Sequence, residues 1–329
     1  MVWRLSQHFL LSAKARTLSL TEVARLTNNE AYSRFRAVRF ADNGGEPFCP
    51  YCGSLGVYAY AARRIFKCKG CLKQFSLTTG TIFHGRKLAF RDLLMAIAIF
   101  VNGANGHAAL RLSRDLKCAY KTAFVLAHKL REVFGSLQTP HKLKGIVEID
   151  GIVVGGHKKK ANYKKDRKDM RSSNPKRQTI VNLRERRHGG RTVSFVCRNE
   201  ADALPIILAK VDRSAKIRTD EGTSWQVLPL YFSDCKTVNH KVAYMINGVH
   251  TNWVEGLHSR FRRAERGVHC RIAGNHLQGY ADELAWREDH RRTSNGGQFV
   301  AVMSASVRQP KSIKWCGYWQ RRKPKAEAA

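Results

Sequence analysis

The apolar positions change period several times along the chain, and the changes mark its elements. Residues 18–40 alternate apolar and polar positions at helical spacing, which predicts one helical segment capped by Thr21 with Glu22 in its first turn. Phe90 to Val101 is almost wholly apolar and is broken by Asn102-Gly103-Ala104-Asn105-Gly106. Leu112, Leu116, Phe124, Leu126 and Leu130 then recur at helical intervals, so 86–135 reads as helices. A strand follows in Gly145-Ile146-Val147-Glu148-Ile149-Asp150-Gly151-Ile152-Val153-Val154-Gly155-Gly156. Val147, Ile149 and Gly151 face one side of it, Glu148, Asp150 and Ile152 the other. Two carboxylates thus share a face inside an apolar run. Burying an ionised group there costs several kcal/mol unless something compensates it. The strand is either an edge strand with that face in water or a central one whose acids are used.

Downstream, Gln178–Arg186 and Arg191–Cys197 flank His188-Gly189-Gly190 and predict a β-hairpin. Residues 201–212 predict a helix, with Asp202 as cap and Pro205 in the first turn. Ala215–Thr219 is a further strand, ending at Asp220-Glu221-Gly222 before a short helical stretch, Ser224 to Leu230. Asp220 is therefore either a helix cap or an acid at a strand's carboxyl end, where α/β sheets place their sites. Trp253, Leu257 and Phe261 predict a helix on which Asn252, Glu255, Ser259 and Arg262 share a face. A second helix runs from His276 to His290, and from Thr293 the Ser-Asn-Gly-Gly sequence is expected to end regular structure, leaving a basic tail over 293–329.

Charge and cysteine change this picture most. The chain of 329 residues holds 59 Lys+Arg against 25 Asp+Glu, a formal net charge of +34. Such an excess repels itself, and a polyanion, nucleic acid first, is the partner that relieves it. No apolar run reaches the roughly 18 residues of a membrane span, and the patch Phe9–Leu11 is too short for a secretory signal. Nine cysteines in a chain this size do not suggest a disulfide scaffold and fit a reducing, cytoplasmic setting. Four of them form paired knuckles, Cys49-Pro-Tyr-Cys52 and Cys68-Lys-Gly-Cys71, around two short alternating segments, Gly56–Tyr60 and Arg63–Lys67. That is the pattern of a zinc ribbon with one structural Zn²⁺. Arg63, Arg64, Lys67, Lys69 and Lys73 make the ribbon basic, whether for DNA contact or as a solvated face. Two helices meeting near Leu116-Lys117-Cys118-Ala119 have the layout of a helix-turn-helix, with Tyr120, Lys121 and Thr122 opening the second; a plain helical linker is the other reading. A basic loop over 157–177 carries Lys158, Lys159, Lys160, Lys164 and Lys165. There is no Walker loop, GxGxxG, HExxH or GxSxG motif.

Asp150 on one strand, Asp220 ending another and Glu255 on a later helix can converge on one site of a mixed sheet. Three carboxylates in an apolar setting need cations, and oxygen ligands select two Mg²⁺ or Mn²⁺ rather than zinc. In order and spacing, the ribbon, the VEIDGIVVGG strand, the TDEG turn and the HTNWVEGLHSRFRR helix resemble the zinc-ribbon insertion-sequence transposases with an ISXO-like DDE domain, over about residues 30 to 292. The resemblance implies an α/β fold, an RNase H-like mixed sheet with flanking helices. It divides the chain into an N-terminal helical arm (1–45), zinc ribbon (46–80), helix-turn-helix-like segment (86–135), catalytic domain (144–292) and tail. It implies a transposase whose metal-binding acids are Asp150, Asp220 and Glu255, with Asn252 an alternative third ligand. Arg262 would contact phosphate, and Arg63, Arg64, Lys121, Arg263 and the lysines of the basic loop would contact DNA. The partners would be double-stranded DNA, as element terminal inverted repeats and target, and further copies of the chain. Against the family pattern, Gly151 stands where a second acid is expected and Arg262 where Lys is more usual. A zinc-ribbon regulator without catalysis and an RNase H-like nuclease or resolvase are the competing readings.

Overall fold

The computed structural model describes residues 8–138, 140–155, 162–166, 174 and 176–320. The chain divides into two compact units, Met1–Ser136 with Thr293–Ala329, and Leu137–Arg292.

In the first unit the single helix expected over 18–40 is two, α1 (Leu20–Arg25) and α2 (Asn28–Arg39). Each has its own capping box: Ser19 with Glu22, and Thr27 with Glu30, satisfy orphan amides at both starts. The second box stops the first helix at Leu26. The ribbon follows as a three-stranded antiparallel sheet of β1 (Val57–Tyr60), β2 (Ile65–Cys68) and β3 (Gln74–Phe75), ordered β1-β2-β3. It buries little beyond Phe66 and Phe75, which lie tilted against each other at 5.3 Å. Next come α3 (Phe90–Asn102), buried on most sides, then α4 (Ala109–Asp115) and α5 (Tyr120–Ser136). The last two pack against each other across the turn at Leu116–Ala119.

The second unit is a five-stranded mixed sheet of β4 (Ile146–Gly155), β5 (Arg177–Glu185), β6 (Thr192–Cys197), β7 (Lys216–Thr219) and β8 (Cys235–Thr237). The order is β6-β5-β4-β7-β8. β4 is therefore central, antiparallel to β5 and parallel to β7, and the edge-strand alternative is excluded. The hairpin β5–β6 forms as its glycine turn predicts. Helix α6 (Leu204–Lys210) crosses over on one face, where Val147, Ile149, Leu183, Ile207 and Ile217 make a core. Helices α7 (Asn252–Ala264) and α8 (Leu277–Asp289) cover the other, where Ile152, Val154, Ile180, Leu257, Phe261 and Leu277 pack. The period-two alternation of β4 thus feeds two separate cores, and Glu148 and Asp150 lie on the α7 face. The helical stretch expected at 224–230 is two 3₁₀ turns, Thr223–Trp225 and Leu228–Leu230.

The tail expected from Thr293 is instead largely a helix of the first unit, α9 (Asn295–Arg308). Ser294 caps it by accepting from the Gly297 amide, and the Asn295 side chain accepts from the amides of Thr17 and Leu18. Gly296 and Gly297 fall in its first turn, where they do little harm, and Phe299, Val302, Met303 and Val307 form its buried stripe. It packs on α2, α3 and α5.

Candidate active site and metal centre

The four ribbon cysteines converge as their spacing predicts. All four sulfurs lie within 4.8 Å of one another, with Cys49–Cys71 and Cys52–Cys68 both at 3.6 Å. A tetrahedron of sulfurs about 2.3 Å from Zn²⁺ has edges of about 3.8 Å, so the cluster fits one structural zinc. Backbone amides point at the sulfurs, Tyr51 toward Cys49 and both Gly70 and Cys71 toward Cys68. The Cys71 amide leads in pulling the Cys68 thiol down to about 6, the state a metal ligand needs. Among the described residues this is the one group of three or more His, Cys, Asp or Glu side chains drawn so close. Of its basic residues, Arg63 is exposed, whereas Arg64 turns back to Asn29 and the Asn28 carbonyl and lies over the Tyr32 ring, holding the ribbon to α2.

The second centre is built on β4. Parallel pairing of Ile149 with Thr219 sets the next residues, Asp150 and Asp220, side by side on adjacent strands, which run about 4.8 Å apart. Asp220 accepts from the Gly222 amide, so the TDEG turn fixes its carboxylate at the strand end. Glu255 comes from the first turn of α7 and bonds Thr251 and His240. Burial first, then the charges of Asp220, Glu200 and Glu255, push Asp150 up to about 8 against the pull of the Gly151 amide. A carboxyl so far above its usual range marks negative charge that protein groups leave uncompensated. An all-oxygen donor set with that field fits Mg²⁺ or Mn²⁺. Asn252, at the exposed start of α7, is not part of that field.

Three features of this centre escape sequence reasoning. The first is Glu200, in a 3₁₀ turn after β6. A Cβ on Gly151 would meet its Oε1 at 2.3 Å, so Gly151 leaves room for a carboxylate arriving from the opposite face of the sheet. Burial, then Asp220, raise its carboxyl above the ordinary value. No local motif signals it.

The second is a polar row across three strands. Ser194 on β6, Asn182 on β5 and Asp150 on β4 stand in register. The Ser194 hydroxyl donates to Asn182 Oδ1 (2.5 Å), and Asn182 Nδ2 donates to His258 Nε2 (2.9 Å). That leaves the proton on Nδ1, which faces Asp150 Oδ2 at 3.4 Å. Burial, with Arg262 adding to it, pushes His258 down to about 3, so the ring is neutral and acts as a donor that orients the acid. Its place three residues after Glu255, on the same helix face, was the available signal.

The third is Glu148. It is fully buried, accepts from the amides of Trp253 (2.9 Å) and Val254 (3.1 Å), and pairs with Arg186 at 2.7 Å. It docks the positive N-terminus of α7 onto β4, and with it the first turn that carries Glu255.

The basic residues divide as well. Arg262 bonds Glu265 and the Val153 carbonyl, tying α7 to β4. Together with exposed Arg263 it lines a shallow depression with Ile152, His258 and Ser259. Lys121 is exposed on the first turn of α5, and Lys164 and Lys165 are exposed in a 3₁₀ turn. Lys158, Lys159 and Lys160 lie outside the described residues.

With this geometry established, comparison with known proteins gives a consistent result. Residues 142–289 match the ISXO2-like transposase domain and residues 26–74 the transposase zinc-ribbon domain. In order and position the two matches are similar to the zinc-ribbon transposases with an ISXO2-like domain. The mixed sheet of its second unit is the RNase H-like fold of that domain. The chain is also similar to an uncharacterized protein in transposable element ISH50 of Halobacterium salinarum, 28% identical over 111 residues. That match covers 32% of this chain and spans 36% of the relative's length. No solved structure matches significantly. Among the described residues no helix is long and apolar enough to cross a membrane.

Proposed function

We propose that this transposase cuts the ends of an insertion sequence and joins their 3′-hydroxyls to target DNA, with Asp150, Asp220 and Glu255 as its catalytic acids. The observation that carries the reading is the register that puts Asp150 and Asp220 at neighbouring positions of two parallel strands, with the charges of Asp220 and Glu255 both raising the Asp150 carboxyl, in a chain of formal net charge +34. Two Mg²⁺ or Mn²⁺ held there would activate the attacking water or 3′-hydroxyl and stabilise the leaving oxygen of an in-line displacement. The chain's own groups do the rest. His258 holds Asp150 in one rotamer, Glu148 fixes the helix that presents Glu255, and Glu200 adds a fourth carboxylate beside the strand. Arg263 and the basic residues of α5 and the loop at 157–177 meet phosphates. Element ends are bound by the zinc-loaded ribbon and the α4–α5 pair, as double-stranded inverted repeats. Two ends cut together require more than one copy of the chain.

The test is Mg²⁺-dependent nicking of a duplex that carries the DNA flanking the gene. Nicking that disappears in Asp150→Ala supports the assignment, and nicking that survives removes it. Specific end binding with no nicking in the intact protein favours a regulator instead. Cleavage of RNA hybrids or junctions in preference to ends favours a nuclease.

A further inference from the structure

The first unit contains a cavity of about 550 Å³ that the site above does not use. The loop Phe83–Leu88, the first half of α5 and the segment from Lys311 to Gln320 enclose it. Its chemistry is one-sided. Arg86, Lys87, Lys121, Lys129 and Lys311 all line it, and none of the lining residues is an acid. Lys129 is buried, donates to the His84 carbonyl at 3.3 Å and also meets the Cys316 thiol and the field of Glu132. Burial still disfavours the charged ammonium, and an entering anion would favour it. The other half of the wall is aromatic. Trp315 stacks on His128 at 4.2 Å, and Phe124 packs against Trp315, Tyr318 and Trp319. Trp319 is held at the rim, its indole N–H donating to the Lys121 carbonyl and its ring 44% exposed. The positive N-terminus of α5 opens at the same rim.

One buried and four exposed cations along the wall and a partly exposed indole at the mouth recognise a phosphate joined to a flat ring, which is a nucleotide. We propose that this cavity takes an unpaired nucleotide of a DNA strand, its base stacked on Trp319 and its phosphates on Lys121, Lys129 and Lys311. The cavity stands at the start of the helix that the helix-turn-helix reading directs at DNA, so it would receive a frayed or single-stranded terminus while α5 holds the duplex. The inference rests on the DNA-acting function proposed above, but not on its carboxylates.

The experiment is fluorescence anisotropy of the full-length, zinc-loaded protein in buffer free of Mg²⁺ and Mn²⁺, with labelled duplexes that are blunt or carry a short single-stranded overhang of the same sequence. Stacking of one base is expected to make the overhang bind about tenfold tighter. Trp319→Ala should remove that difference, Trp319→Phe should retain most of it, and Lys311→Gln should reduce it. The proposal is overturned if wild-type protein binds both duplexes alike, or if Trp319→Ala weakens both in equal proportion. It is also overturned if a free mononucleotide or a polyglutamate competes as well as the overhang does. Because omitting Mg²⁺ and Mn²⁺ suppresses chemistry, overhang preference without any Mg²⁺-dependent nicking in a parallel assay would remove the transposase function and leave this site standing.

Discussion

Replacing Asp150 by Asn should stabilise the metal-free protein, the opposite of what most buried substitutions do. Asn keeps the volume and the oxygen that accepts from the Gly151 amide at 2.7 Å, and it removes a charge crowded by Asp220, Glu200 and Glu255. The folded carboxyl lies at about 8 against an ordinary 3.8. Its protonated form is therefore favoured by folding. The stability it contributes is complete below pH 3.8, declines as pH rises and is gone above about 8. The interval from 3.8 to pH 7.5, at ~1.36 kcal/mol per pH unit, sets a ceiling of about 5 kcal/mol on what the variant recovers. The side chain keeps 15% of its exposure, and water relaxes around it, so about 2 kcal/mol is the expected gain. For a unit of this size that is a rise in melting temperature of about 4–8 °C. Thermal unfolding followed by circular dichroism in buffer free of Mg²⁺ and Mn²⁺ from pH 5 to 8 would measure it. Wild-type stability should fall relative to the variant across that range. Added Mg²⁺ should then raise the wild type, by about 2.7 kcal/mol at a hundredfold excess over the dissociation constant, and the variant far less. A variant that melts below wild type at pH 7.5, or pH profiles that run parallel, would refute the account of the site as uncompensated negative charge.

Metal analysis of purified protein should return about one zinc per chain, and Cys68→Ser should lose it and expose the ribbon to protease, since the metal supplies folding free energy that so small a sheet lacks. Glu148→Ala should cost about 3 kcal/mol in urea unfolding, because it takes the carboxylate from Arg186, whose side chain is only 12% exposed, and uncaps α7. Asn182→Ala should lower the rate of Mg²⁺-dependent nicking about tenfold while end binding, measured without Mg²⁺, stays at the wild-type level; equal losses in both would mean that the residue serves the sheet alone.

What could be read from the sequence was local or periodic. The CxxC pairs, the hairpin at His188-Gly189-Gly190 and the alternation of β4 each carry their geometry in a few adjacent residues. Asp150 and Asp220 were visible as acids in strand contexts, although only the parallel pairing of β4 with β7 sets them side by side. Glu200 was not visible, because its proximity to Gly151 depends on where the chain turns after β6. Glu148 was visible as an acid on the same face as Asp150, but its partners were not, because they are amides of a helix more than a hundred residues away. The glycine pair at 296–297 was read as a break because the pattern does not distinguish a helix interior from its first turn.

The return of α9 to the N-terminal helices has a consequence for how the protein is made. The first unit is discontinuous, and the second is inserted within it. Phe299, Val302, Met303 and Val307 complete the packing around α2, α3 and α5 only after the second unit has left the ribosome. A chain cut short by a nonsense codon, a frameshift or stalled translation therefore lacks the stripe that closes its first unit, however complete its ribbon. Fragments of this gene are poorly suited to compete with the full-length protein for its DNA, and fusions at residue 293 should be tolerated far less well than fusions after Gln320.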